Sequence, residues 1–330
     1  MKILLSVFDK SSSGISTYTY ETAKLLNKDV NITMLSFDAI SSNIETIYIN
    51  RVKNYRSLPL LNYFNNRDSI KNILDDFDII HETLPPWAQG AKKYITTKWS
   101  YESFYRVTAI RLLYHPFPEN LGALPVTLQH MVLDKLSRKK AKSVVSVSTD
   151  NSSFIPPPIS LRRLKAYSSA TTLKILFVSR DISIKRKNLK VLLEALKRTK
   201  RKYELHVVGN GKTLGISHGF LSREELINLM YEMDVLVLPS IYEELGYVGL
   251  EAYSIGLPVI ASDIVSFRTV FKESPKFYPF DPIELSRILD SLDESKLELI
   301  GKRSWEHVKK TNQITREKFL NLYNTIYKSD

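Results

Sequence analysis

Short apolar runs alternate with longer amphipathic ones along this chain, and that alternation narrows the possible folds more than any other feature. KILLSV (2–7) is followed by the helical pattern SGISTYTYETAKLLN (13–27), then by NITMLSF (31–37), with DIIHE (78–82), KYITT (93–97) and SVVSVS (143–148) further on. The pattern restarts at LKILFVSR (173–180) and continues through KNLKVLLEALKRTK, YELHVVGNG, SREELINLMYEM, DVLVLPS, LEAYSIG and LPVIASD (257–263). Strand-length runs separated by helix-length ones predict βαβ units and parallel sheets. Between the two series, NSSFIPPPISLRRLKAYSSATT (151–172) loses periodicity and gathers Pro and Ser, the composition of an interdomain linker. A chain of 330 residues exceeds a usual single core, so the expectation is two doubly wound α/β domains. Their bounds are 1–155 and 173–330, with 156–172 as the linker.

Composition limits the setting. No apolar run approaches the roughly 20 residues that span a bilayer, and the first residues read as a strand better than as a cleaved leader. The absence of cysteine removes disulfides, thiol nucleophiles and thiolate zinc sites. A cytoplasmic protein is the expectation. The net charge of +12 favours an anionic partner, whether a nucleotide phosphate, a membrane surface or nucleic acid. Basic residues recur in both halves, whereas nucleic-acid binders concentrate them on one face or tail, so no specific nucleic acid is expected.

In open parallel sheets, ligands gather beyond the carboxyl ends of strands. Gly14, Arg180, Gly209 and Glu243 each follow a predicted strand. Glu243 falls in the loop after VLVLPS, and Glu251 falls near the start of the next helix. Carboxylates only accept hydrogen bonds, so a pair of them suits a ligand rich in hydroxyls. Gly246, Tyr247 and Val248 lead between them into a helix N-terminus, whose amides and positive dipole end suit a phosphate. Sugar, phosphate and sugar together outline a nucleotide sugar. The plainer alternative is a helix-start charge beside a solvated loop residue. Around Lys185 and Lys187, positive charge opposes the dipole of the helix that follows unless an anion is present. No His and carboxylate cluster shows metal-ligand spacing, so metal dependence is not expected.

The order Pro239-Ser240, Glu243, Gly246, Leu250-Glu251-Ala252 and Gly256-Leu257-Pro258-Val259-Ile260-Ala261-Ser262 resembles the E-x7-E region of retaining GT-B glycosyltransferases of the family 4, or group 1, type. That resemblance covers most of the second half, and SSSGISTYTYETAKLL matches the family's first loop and helix more loosely. It implies two Rossmann-like domains facing a central cleft, with the last helix returning to the N-terminal domain. It also implies transfer of a hexose from a nucleotide diphosphate sugar, of UDP or GDP type, to a hydroxyl without a metal or other cofactor. Glu251 would hold the ribose, and Glu243 would contact the transferred sugar. Arg180 with Lys185 or Lys187 would hold the diphosphate, Lys187 being favoured by the Lys-Asn-Leu that it begins. Gly209 would let the backbone approach the nucleotide, and Phe220 would border the base. In the family the leaving phosphate helps deprotonate the acceptor, so no separate base is demanded.

Departures from the pattern are specific. Glu244-Leu245 replaces the usual Gly-Phe, and Ser13-Gly14 replaces a glycine pair. The family's N-domain histidine has no counterpart in YITTKWS, which leaves His81 or Lys98 as substitutes. The aromatic and basic stretch WSYESFYRVTAIRLLYHPFP (99–118) reads either as a buried helix or as an element seated on an anionic membrane at the inner face. The acceptor would be a sugar, a lipid-linked sugar or a small molecule. A scaffold or binding protein that keeps the fold without turnover is the first alternative reading, and a nucleic-acid-associated protein, suggested only by the net charge, is the second.

Overall fold

The computed structural model describes residues 1–6, 14–36, 43–49, 59–83, 88, 91–99, 132–133, 135–147, 153–167 and 171–329, with backbone alone at 59–63. They form two compact units. One takes the residues through Ser160 together with Thr311 onward; the other takes Leu161–Lys310. Most of the aromatic stretch expected as a membrane-seated or buried helix lies outside the described residues. Among the described residues no helix is long and apolar enough to cross a membrane.

The first unit is built on six parallel strands: β1 (Lys2–Ser6), β2 (Asn31–Ser36), β3 (Thr46–Tyr48), β4 (Ile79–Glu82), β5 (Tyr94–Lys98) and β6 (Ser143–Ser146). Their order, β3-β2-β1-β4-β5-β6, reverses direction between β1 and β4. Helix α1 (Gly14–Leu26) follows β1, and α2 (Pro59–Leu74) precedes β4. Buried Leu4, Leu35, Ile70, Leu74, Ile80 and Tyr94 belong to one core cluster, and consecutive residues of β1, β2, β4 and β5 are buried, so both sides of these strands are covered.

The second unit repeats the plan. Its strands are β7 (Leu173–Asp181), β8 (Tyr203–Asn210), β9 (Ile216–Ser217), β10 (Val235–Leu238), β11 (Val259–Ser262) and β12 (Lys276–Phe277). Their order is β12-β11-β10-β7-β8-β9, so the reversal falls between β7 and β10. The helices are α3 (Leu189–Leu196), α4 (Arg223–Glu232), α5 (Tyr247–Ile255), α6 (Val265–Val270) and α7 (Pro282–Ser291). Helix α8 (Glu294–Lys328) is one 35-residue element whose first half belongs to this unit and whose last turns belong to the first. Local signals set these ends. Ser222 and Glu225 close a capping box on α4, and Asp281 caps α7 with Pro282 in its first turn. Phe177, Leu192, Leu205, Val237, Leu285 and Leu289 share one core beneath the sheet.

The doubly wound order places a crevice at the reversal point, outside the carboxyl ends of the two flanking strands. In the second unit those strands are β7, which delivers Arg180 and Lys185–Lys187, and β10, which delivers Glu243.

Candidate functional site

The segment after β7 turns sharply. Lys185–Lys187 form a single 3-10 turn, and Asn188 leaves it in the left-handed region at φ 57° to start α3. Asparagine tolerates that conformation better than most residues, and its side-chain amide donates to the Pro279 carbonyl at 2.7 Å. The turn packs against the loop after β10. Ile241 donates its amide to the Arg186 carbonyl at 2.8 Å. Arg186 then returns a guanidinium hydrogen bond to the Tyr242 carbonyl at 3.3 Å and another to Glu243 Oε2 at 3.0 Å. Lys187 Nζ reaches the same carboxylate oxygen.

Glu243 therefore sits between two cations, with its side chain 16% exposed and theirs 22% and 19%. Burial works to raise its pKa, but the charges and hydrogen bonds of Lys187 and Arg186 outweigh burial and hold it down to about 2. These three side chains alone carry a net charge of +1. Arg180, at the end of β7, is exposed, as is Lys185, and neither forms an ion pair with a described residue. The same two segments carry the cations Arg180, Lys185, Arg186 and Lys187 and the carboxylates Asp181, Glu243 and Glu244, a net charge of +1 at the start of α3, where the helix dipole itself favours an anion.

Across the loop, Gly246 takes φ 65° and opens α5 at Tyr247. A Cβ there would lie 2.8 Å from Phe267 Cε1, so the loop tolerates neither the backbone strain nor the bulk of a side chain. Ser266 Oγ donates to the Glu243 carbonyl at 2.6 Å and ties the loop to α6. Tyr247 itself is 7% exposed and packs in the core, and Val248 is half-buried. Glu251 is buried one turn into α5, and Arg223 Nε donates to its Oε1 at 2.7 Å. Gly209 holds φ 139°, with its amide on the Gly219 carbonyl at 2.7 Å, and a Cβ there would fall 1.9 Å from the Ser179 carbonyl oxygen. Only glycine lets β8 pass so close to the residue that precedes Arg180. Phe220, just beyond, is 55% exposed.

The first unit treats its candidates differently. His81, offered by the sequence as a substitute for the family's N-domain histidine, is completely buried in β4. Its Nδ1 lies 2.7 Å from the Tyr323 hydroxyl and its Nε2 lies 2.9 Å from Thr97 Oγ1. Burial pushes its pKa down to about 3, so it is neutral and sealed, with no ring nitrogen left for a substrate. Lys98 ends β5 half-buried, and Trp99 donates its indole N–H to the Thr83 carbonyl and stacks edge-on against Tyr18 at 5.0 Å. Gly14 is the exposed first residue of α1.

Two residues absent from the sequence expectations belong to the site: Arg186 and Arg223. Each left a trace. Arg186 is the middle of a basic triplet at a helix start, and Arg223 is a cation in the first turn of α4, where the dipole disfavours it. Both are explained by a carboxylate distant in sequence.

Residues 172–292 match the family model described as glycosyl transferases group 1. An uncharacterized glycosyltransferase of Methanocaldococcus jannaschii is 29% identical over 116 residues, covering 29% of this chain and 30% of that protein. The matched stretches span between 24% and 46% of the curated relatives' own length. Sucrose-phosphate synthase from Thermosynechococcus elongatus aligns over 99% of both chains with a TM-score of 0.67 at 19% identity. HepE of Anabaena, solved with UDP and glucose, aligns over 98% of this chain and 100% of its own with a TM-score of 0.70 at 15% identity. At such identities the structural likeness establishes the fold: two Rossmann-like domains of the GT-B type.

Proposed function

We propose that this chain, a GT-B protein whose second unit is a group 1 glycosyltransferase domain, moves a hexose from a nucleotide diphosphate sugar to a hydroxyl acceptor with retention of anomeric configuration. The observation that carries this is the surplus of positive charge at the β7–β10 reversal point, set beside the part-buried Glu243 and the buried Glu251. Arg180 and Lys187 would take the diphosphate, Arg as a fork of donors and Lys as a mobile charge. Glu251, oriented by Arg223, would accept from the ribose hydroxyls. Glu243 would face the hexose and stabilise the positive charge that develops at its anomeric carbon. The bond from that carbon to the diphosphate oxygen breaks, and one to the acceptor oxygen forms on the same face. The acceptor proton passes to the leaving phosphate. With the diphosphate's charge met by cations of the chain, the reaction would not call on a divalent ion. The complex of HepE with UDP and glucose favours a uridine nucleotide as the first donor to try. The acceptor would be a glycan, a lipid-linked sugar or a small molecule.

A thermal-shift screen against UDP-, GDP-, ADP- and dTDP-sugars, run on the native protein and on Glu251→Ala, tests this. At 100 times its dissociation constant, a donor adds about 2.7 kcal/mol and raises Tm by several degrees. One base class should stabilise the native protein and not the variant, and nucleotide release should follow when an acceptor is supplied. If every nucleotide sugar leaves Tm unchanged, the proposal fails and a scaffold that retains the fold takes its place.

A further inference from the structure

The two cations on Glu243 are held in different ways. Lys187 meets the loop after β10 only through the tip of a flexible side chain, at the carboxylate. Arg186 is bonded to that loop at three successive residues. Its carbonyl takes the Ile241 amide, and one guanidinium nitrogen serves both the Tyr242 carbonyl and Glu243 Oε2. A planar guanidinium anchored at two acceptors loses less freedom per bond than an ammonium on a four-carbon stem and gives up its place less readily.

We propose that Arg186 is a positioning residue that keeps the Glu243 carboxylate in place while Lys187 swings to the diphosphate of an incoming donor. This rests on the donor-site assignment above and adds a division of labour to it. In the ligand-free protein, Lys187 and Arg186 share one carboxylate oxygen. When a diphosphate arrives beside Arg180, Lys187 exchanges Glu243 for phosphate oxygens, and the carboxylate would be released if Arg186 did not hold it. Among the described residues, Arg186 and Lys187 from the 3-10 turn bind the Glu243 carboxylate, Ser266 from α6 binds its carbonyl, and Tyr242 and Glu244, which bond to each other, flank it in its own loop.

The substitution Arg186→Met removes the charge and both side-chain bonds. Arg186→Lys keeps the charge and loses the two-acceptor geometry. Lys187→Met serves as the contrast. In the ligand-free protein, carbon NMR of the Glu243 carboxyl reads its titration directly, without any donor. Arg186→Met should move the midpoint up by at least one pH unit, and Arg186→Lys should move it by less. In turnover, Arg186→Met should lower kcat tenfold or more while donor affinity changes less than threefold, with the acid limb of kcat moving to higher pH. Arg186→Lys should restore part of kcat. Lys187→Met should weaken the donor tenfold or more. An unmoved Glu243 midpoint in Arg186→Met overturns the proposal whether or not the protein is a transferase. A loss confined to donor affinity overturns it too, by making Arg186 a donor ligand. If the native protein binds no nucleotide sugar but the midpoint moves as expected, the donor-site assignment fails and the anchoring contact stands as structural. If Arg186→Met does not fold, the midpoint and rate of Arg186→Lys decide alone: values equal to those of the native protein refute a role for the geometry.

Discussion

The two units share one strand order yet treat buried polarity in opposite ways. In the first, His81, Thr97 and Tyr323 satisfy one another inside a fully buried pocket, and Phe319 packs against the imidazole with ring centroids 5.7 Å apart. In the second, Glu243, Arg186 and Lys187 lie at the end of the sheet with about a fifth of each side chain exposed and a charge left over. A neutral network whose donors and acceptors close on themselves stabilises a fold and offers nothing to a ligand. A charged cluster that does not balance has a reason to bind. Position after a strand is thus insufficient to define a site: His81 and Glu243 both lie on or just beyond a central strand, and only one is available.

The sharpest way to break this contrast is to remove one group from each side. Glu243→Gln should lower turnover by about 100- to 1000-fold, the size of a lost transition-state charge contact, while costing only about 1–2 kcal/mol of stability. Steady-state rates and urea unfolding measure the two. Next in size, His81→Ala leaves Tyr323 and Thr97 without a partner and opens a cavity. It should cost about 3 kcal/mol in urea unfolding while the rate per folded molecule stays within threefold. A large rate loss with unchanged stability would reverse the assignment.

The pH dependence of stability sharpens the contrast by separating the two clusters in pH. His81 is neutral when folded, with a pKa near 3, and takes up a proton near 6.5 once unfolded. The unfolded chain therefore binds more protons between those values. Its contribution is complete above pH 6.5 and is lost as pH falls toward 3, at up to about 1.4 kcal/mol per pH unit. His206 and His307, also lowered by burial, act in the same direction. Glu243, held down to about 2, contributes fully above pH 4.5 and loses that contribution only below it. His81→Ala should flatten the upper part of the slope, and Glu243→Gln only the lower part, in unfolding curves taken from pH 7 to 3. Smallest in effect, Tyr323→Phe removes one hydroxyl from the sealed network and should cost about 1 kcal/mol without touching turnover.

Much of this was legible beforehand because parallel strands buried on both faces read as continuous apolar runs, and KILLS, IIHE, LKILFVS and VLVL each became a strand. Three of the four edge strands were not, since β3, β9 and β12 are two or three residues long and carry no periodicity of their own. Helix α2 was also missed, because PLLNYFNNRDSIKNIL spreads its apolar residues over several faces. At the site, Glu243 and Glu251 stood out by residue type and by the family resemblance, and Lys187 by the resemblance of its Lys-Asn-Leu alone. Arg186 and Arg223 did not, because their meaning lies in carboxylates 57 and 28 residues away. His81 misled for the converse reason: its partners, 16 and 242 residues away, convert a candidate catalyst into a core residue.

The central claim is that the unbalanced charge of the second unit is a donor site, and a crystal structure with a nucleoside diphosphate bound at saturation tests it most directly. The account predicts the diphosphate within hydrogen-bond reach of Arg180 and Lys187, the ribose on Glu251, and Arg186 still on Glu243. A nucleotide bound elsewhere, or an empty site at saturating ligand with Lys187 still on Glu243, would contradict it.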